Sequence, residues 1–205
     1  MVKTISRKNW DEISNGNFAV ERDEALRNRQ DEIGEIGVYA DKMRSALKTM
    51  IELDVLTGLY NRRTGNNRLK ALSEDKKDFV VVMCDVDWFK KINDQHGHEC
   101  GDYVLMGIAE MLRKSVKDCG FASRWGGEEF LLIYESGMKQ ASQQVHRLLE
   151  EIREREFKYQ GTCFHVTMTF GMKEMEQGVP YEEIIKYADE KLYIGKNSGR
   201  NQIVS

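Results

Sequence analysis

The chain has 205 residues, of which 40% are apolar and 32% charged, and its formal net charge is −3. Such a length buries one core of ordinary size and leaves residues over for an extension, while the slightly acidic balance excludes a general nucleic-acid binder, which needs a basic face to neutralise phosphates. Cys84, Cys100, Cys119 and Cys163 lack metal-ligand spacing and read as reduced thiols, and no apolar run approaches the ~18 residues of a spanning helix, so a cytoplasmic protein is expected.

Taken in chain order, the first thirty or so residues read as a short helix and a polar connector broken at Ser14-Asn15-Gly16-Asn17. From Asp31 to Asp54, apolar residues at Ile33, Ile36, Ala40, Met43, Leu47 and Met50 alternate in steps of three and four. That is a heptad seam and predicts a two-stranded coiled coil, a helix packed on its own domain being the alternative. A helical stretch near Arg62 to Leu72 precedes Phe79 to Cys84, a continuously apolar run expected to be a central strand covered on both faces. It ends in Asp85-Val86-Asp87, whose two acids are expected on opposite faces, so that one of them joins a site. Gly101 to Lys117 and Met138 to Phe157 read as amphipathic helices on either side of a hairpin. Cys163 to Met172 alternates as a strand with Val166, Met168 and Phe170 on one side and a wetter face on the other. Pro180 suits the first turn of a last helix reaching about Gly195, and Asn201 to Val204 reads as an edge strand. This order predicts an α+β fold: a mixed central sheet flanked by helices, drawn to one side of it, of ferredoxin-like or polymerase-palm kind.

The hairpin carries the strongest chemical signal. In Arg124-Trp125-Gly126-Gly127-Glu128-Glu129-Phe130 the two glycines are expected to supply positive φ to a tight two-residue turn, with Phe121 to Trp125 leading in and Phe130 to Tyr134 leading out. Two adjacent carboxylates at a hairpin tip gain nothing from folding, since like charges repel; they read as metal ligands or proton acceptors. If the hairpin pairs beside the Phe79 strand, Asp85 and Glu128 converge, and hard oxygen donors of this kind suit magnesium with phosphate and water completing its shell.

A series of motifs in order then resembles the GGDEF family of diguanylate cyclases, in the variant with Glu in the third position. Asp54-Val-Leu-Thr-Gly-Leu-Tyr-Asn-Arg-Arg63 resembles the family's opening signature, and Asp85 to Leu105 its metal and base-recognition segment. RWGGEEF resembles the signature loop, Thr169-Phe170-Gly171 a later strand, and Ala188 to Lys196 with Gly199-Arg200-Asn201 the closing helix and loop. The resemblance implies a GGDEF domain over residues 51–205 and an enzyme that condenses two GTP into cyclic di-GMP and two pyrophosphates. It implies metal ligation by Asp85, the carbonyl of Val86, and Glu128, with Glu129 close to the metal and a candidate general base. Two Mg²⁺ per site are implied, with Mn²⁺ as a substitute. Asn93 and Asp102 resemble the guanine readers, which agrees with guanine's donors meeting a carboxylate and its acceptors an amide. Without the family, they read as a turn residue and a helix-start acid. Phosphate contacts are implied for Lys90, Lys196 and Arg200, with Gly126 and the backbone at Phe89 near the triphosphate; Lys196 and Arg200 otherwise read as cations near a helix end.

One site per chain and a product of two identical bonds imply a homodimer presenting one GTP from each chain, with the heptad helix raising the local concentration of the heads. The family's RxxD product-inhibition motif is replaced here by Lys117, Asp118, Cys119 and Gly120, so little feedback through that site is expected. Residues 1–50 resemble part of a HAMP signalling segment, through Asn15-Gly-Asn-Phe18, Asp31 to Gly37 and Ala40 to Met43, with only a stub of the first helix at Lys3 to Ser14. That resemblance implies an upstream sensor, and origin as the cytoplasmic part of a membrane receptor. Two other readings remain. A catalytically silent GGDEF-like module binding GTP or cyclic di-GMP would usually have lost an acid that is present here, and an ATP-accepting cyclase is disfavoured by Asp102. His96 and His98 have no further ligands nearby in sequence for a transition metal.

Overall fold

A computed structural model describes residues 32–75 and 77–205, with side chains described from Glu35 onward. The HAMP-like connector and the helix stub before it lie outside the described residues. The chain divides between Glu52 and Leu53 into two units. The first contributes one helix, α1 (Glu32–Glu52). Its Ile36, Met43, Leu47 and Met50 are exposed in the single chain, joined on the same stripe by Tyr39. No helix among the described residues is long and apolar enough to cross a membrane.

The second unit is built on β1 (Tyr60–Asn61), α2 (Arg62–Glu74), β2 (Val80–Val86), α3 (Phe89–His96), α4 (His98–Ser115), β3 (Gly120–Arg124) and β4 (Glu129–Tyr134). It continues through α5 (Met138–Glu154), β5 (Phe157–Tyr159), β6 (Thr162–Phe164), β7 (Met168–Glu174), α6 (Tyr181–Asn197) and β8 (Ile203–Val204). Six strands form a mixed sheet in the order β1-β3-β4-β2-β7-β8, and β5 and β6 form a separate hairpin. The four inner strands are antiparallel, and β1 and β8 add to the edges in parallel.

The unbroken apolar run ending at Cys84 explains why β2 is central: all seven of its residues are buried. Alternation divides them between two cores. Val80, Val82, Cys84 and Val86 pack with α4 and α5, while Val81 and Met83 pack with Leu69 of α2 and Ile184, Ala188 and Leu192 of α6. Each buried Val, Leu, Ile or Met among them contributes about 1.5–3 kcal/mol. The helices therefore cover both faces of the sheet, not one side as the element order suggested; two faces of β2 with no polar residue between Val80 and Cys84 require two covers.

Other boundaries moved for identifiable reasons. The helix expected from Gly101 begins earlier, at His98, and a separate helix, α3, precedes it, with Gly97 at φ 83 making the break. The strand expected from Cys163 to Met172 is interrupted: Thr162–Phe164 pairs back on Phe157–Tyr159, and the sheet strand starts at Met168. Its expected wetter face is not wet at Thr169, which is wholly buried. Pro180 stands just outside α6 at the N-cap, with φ −57 and ψ 140.

Candidate active site

The site lies where β2 emerges from the sheet. Asp85 is paired across the ladder with Glu129 of β4 on one side and Thr169 of β7 on the other, so these side chains share a face. One residue on, the Val86 amide donates to the Glu128 carbonyl at 3.2 Å. The acids of the hairpin are thus fixed beside Asp85 by sheet register, and they act on it electrically. Burial pushes the Asp85 carboxyl up to about 6, against the hydrogen bond and charge of Lys196, and the charges of Glu128 and Glu129 push it further the same way. Lys196, in the last turn of α6, reaches Asp85 with Nζ 2.7 Å from Oδ2.

The expected separation of Asp85 and Asp87 onto opposite faces fails, because residues two apart along a strand share a face. Their partners differ instead. Asp87 is buried and accepts from the hydroxyls of Thr167 (2.7 Å) and Thr169 (2.6 Å) and from the amide of Asn201 (2.9 Å). Its carboxylate is consumed in fixing the loop after α6.

The hairpin is also looser than a two-residue turn. Four residues, Trp125 to Glu128, separate β3 from β4, and the amides of Trp125 and Gly126 both donate to the Glu129 carbonyl, at 2.8 and 3.2 Å. Neither Gly126 nor Gly127 has a left-handed φ. Gly126 matters for a different reason: a Cβ there would stand 2.6 Å from Glu129 Oε2 and displace the end of that side chain, whereas one on Gly127 would meet nothing within 4 Å. The loop is held from behind by Arg124, whose Nε and terminal nitrogen donate to the Gly127 carbonyl (3.1 and 2.8 Å) while its other nitrogen donates to Asp54 (3.1 Å). Burial raises the Asp54 carboxyl, but the hydroxyl and amide of Thr57 and the guanidinium of Arg124 outweigh it and hold the group below the usual range.

The helical pair α3 and α4 carries the remaining residues. Phe89 is buried at the start of α3, and Lys90 is exposed beside it. Asn93 Oδ1 is the one buried side-chain polar atom among the described residues without a hydrogen-bond partner. It faces Gly101, where a Cβ would come within 2.0 Å of it. Asp102, next in α4, is exposed. Arg200 follows α6, with its guanidinium carbon 3.8 Å from the centre of the Trp88 ring. His96 stacks on Phe164, with ring centres 5.1 Å apart.

Among the described residues no three His, Cys, Asp or Glu side chains are arranged to hold a metal ion by themselves. The donor set nonetheless fits a hard cation that completes its shell with phosphate and water. Asp85 is raised first by burial and then by two neighbouring carboxylates, and a lysine ammonium already stands where positive charge relieves them.

The profile described as "Diguanylate cyclase, GGDEF domain" matches residues 51–202. The chain belongs to the GGDEF family. The GGDEF unit is 34% identical over 155 residues to diguanylate cyclase VdcA of Vibrio cholerae serotype O1, covering 74% of this chain and 46% of that protein. The chain spans about half the length of the curated relatives it matches. Among solved structures, diguanylate cyclase SiaD of Pseudomonas aeruginosa, in complex with its activator SiaC, superposes with a TM-score of 0.74 at 31% identity, over 96% of this chain and 83% of that one. The active GGEEF domain of a diguanylate cyclase from Vibrio cholerae superposes with a TM-score of 0.65 at 28% identity, over 71% and 96%.

Sequence reading missed three contributors to this GGDEF site: the Asp54–Arg124–Gly127 tether, the Asp87–Asn201 clamp and the Trp88 ring. The tether joins residues 70 positions apart, and nothing in local spacing signals it. The clamp had a signal, since Thr167 and Thr169 alternate on one face of a strand segment.

Proposed function

We propose that this chain is a diguanylate cyclase that condenses two GTP into cyclic di-GMP and two pyrophosphates. The observation that carries the proposal is the register setting Glu129 directly opposite Asp85 at the open end of β2, with Glu128 hydrogen-bonded through its carbonyl to Val86. Membership of the GGDEF family makes nucleotidyl transfer the chemistry to test there.

In this reading Asp85, the Val86 carbonyl and Glu128 hold divalent cations, two per site, with Glu129 beside them; Mg²⁺ is the first choice and Mn²⁺ a substitute. Bound there, the cations polarise the α-phosphate and neutralise charge on the leaving pyrophosphate. Lys196, whose ammonium pairs with Asp85, would contribute its charge to the phosphate oxygens. Lys90 and Arg200 add positive charge along the triphosphate, and Gly126 leaves room for it together with the backbone at Phe89. Asn93 and Asp102 read the guanine, the amide donating to its acceptors and the carboxylate accepting from its donors.

Two chains meet face to face, each with one GTP. Each 3′-oxygen bonds to the α-phosphorus of the opposite nucleotide, the bond from that phosphorus to the bridging oxygen of pyrophosphate breaks, and Glu129 is the candidate acceptor of the hydroxyl proton. The exposed stripe of α1 supports pairing of two chains as a coiled coil, which raises the effective concentration of the heads. The protein acts in the cytoplasm, where residues 1–50 link it to an upstream sensor. The purified chain incubated with GTP and Mg²⁺ should yield cyclic di-GMP, and Glu129→Gln should yield far less. GTP binding without product at high enzyme concentration would support a silent binding module instead.

A further inference from the structure

Trp88 has a left-handed backbone, φ 57 and ψ 27, and its side chain is 62% exposed. Glycine or asparagine adopts that conformation at lower cost, and a ring so exposed gains little from burial in return. What the ring touches is Arg200, whose guanidinium carbon stands 3.8 Å from its centre. Arg200 is itself left-handed, φ 63, between Gly199 at φ 111 and Asn201 at φ 50.

The backbone of that loop is tied on both sides of Arg200. Its own amide donates to Gly195 O at 3.0 Å, and the next amide, of Asn201, donates to Asp87 Oδ2 at 2.9 Å and Thr169 Oγ1 at 3.1 Å. Arg153 of α5 closes the clamp by donating to the Asn201 side-chain oxygen (2.8 Å) and carbonyl (2.7 Å). Adjacent residues, Asp87 and Trp88, thus hold the Asn201 amide and the Arg200 side chain, neighbours in one loop. The guanidinium makes no hydrogen bond to the described residues. The ring contact holds the guanidinium in place through carbon and leaves its N–H donors for an anion.

We propose that Trp88 is a positioning residue whose indole face holds the Arg200 guanidinium for the phosphate chain of the nucleotide. The inference rests on the reading of Arg200 as a phosphate contact. Trp88 acts through Arg200 and touches the substrate only by that route.

The test is calorimetric binding of a non-hydrolysable GTP analogue with Mg²⁺, and of GMP, to the full chain and its variants. Trp88→Gly should keep or raise the melting temperature, because glycine accepts φ 57, yet weaken the analogue about two- to five-fold, the scale of an exposed cation–π contact. Trp88→Asn is the second left-handed-tolerant variant should Trp88→Gly fold poorly, and Trp88→Phe, which keeps a ring face, should stay near wild type. GMP affinity should not move. Against Arg200→Ala, the loss from Trp88→Gly should disappear. Equal analogue affinity for wild type and Trp88→Gly, equal weakening of GMP, or an undiminished loss in the Arg200→Ala background would each overturn the inference. A wild type that binds the analogue no better than GMP would overturn it as well. A wild type that forms no cyclic di-GMP while this binding pattern holds would defeat the enzymatic reading and leave the role of Trp88 standing.

Discussion

Lys196 Nζ stands 2.7 Å from Asp85 Oδ2, an ion pair between a side chain 28% exposed and one only 8% exposed. Even so paired, Asp85 is pushed up to about 6, burial and the charges of Glu128 and Glu129 outweighing the lysine. The folded chain therefore retains a proton on Asp85 at pH values where the unfolded chain has lost it. Its contribution to stability is fully present below the unfolded value near 3.8 and is lost as pH rises through about 6. In metal-free buffer, Asp85→Asn should raise denaturant stability at pH 7.5 by about 1–3 kcal/mol and flatten the pH dependence between about 4 and 7, while abolishing turnover. A variant less stable than wild type at pH 7.5 would show that the ion pair, not the burial of the carboxylate beside other acids, dominates.

Gly126 and Gly127 should respond differently to the same substitution. A methyl at Gly126 falls 2.6 Å from Glu129 Oε2 and must move that carboxylate, whereas a methyl at Gly127 meets open space. Gly126→Ala should lower kcat about ten-fold or more with a melting temperature near wild type, since misplacing a reacting group by about 1 Å can cost ~10²-fold. Gly127→Ala should stay within about three-fold. Steady-state kinetics on both variants checks the contrast.

The seam on α1 should matter most when chains are scarce. Ile36 is 66% and Met43 67% exposed in the single chain, and Ile36→Lys with Met43→Lys places like charges where a second helix would pack. Specific activity of this double variant should fall as the enzyme is diluted through the nanomolar to micromolar range. Unchanged activity over the whole range would remove the helix from assembly of the active pair.

Product feedback should be weak. Gly120 lies opposite Tyr134 in the β3–β4 ladder, and a Cβ there would come within 1.7 Å of the Ile133 carbonyl. Gly120→Asp should therefore destabilise the strand rather than build an inhibitory site. Noncompetitive inhibition by micromolar cyclic di-GMP, abolished by Lys117→Ala, would contradict this.

Much of this molecule can be read without coordinates, because its signals are local. The apolar run into Asp85 announces a central strand, and the motifs around it announce the GGDEF family, which the profile match bears out. What escaped is set by distance or by backbone conformation. The short helix α3 is hidden in a polar stretch whose buried anchor at the helix start is Phe89 alone. The β5–β6 hairpin is read as helix end and strand start because Phe157 and Phe164 look continuous with their neighbours. Gly126 stands out in the sequence, but what it leaves room for, the Glu129 carboxylate, is a tertiary contact. The left-handed backbone of Trp88 has no sequence signal at all.

The most direct measurement of the central claim is a product assay that counts both halves of the reaction. The chain, GTP and Mg²⁺ are incubated, cyclic di-GMP is identified by mass, and pyrophosphate is quantified in parallel. The account predicts two pyrophosphates for each cyclic di-GMP, with formation nearly abolished by Glu129→Gln and by omission of the divalent cation. GTP bound but returned unchanged by the wild type at high enzyme concentration would contradict it.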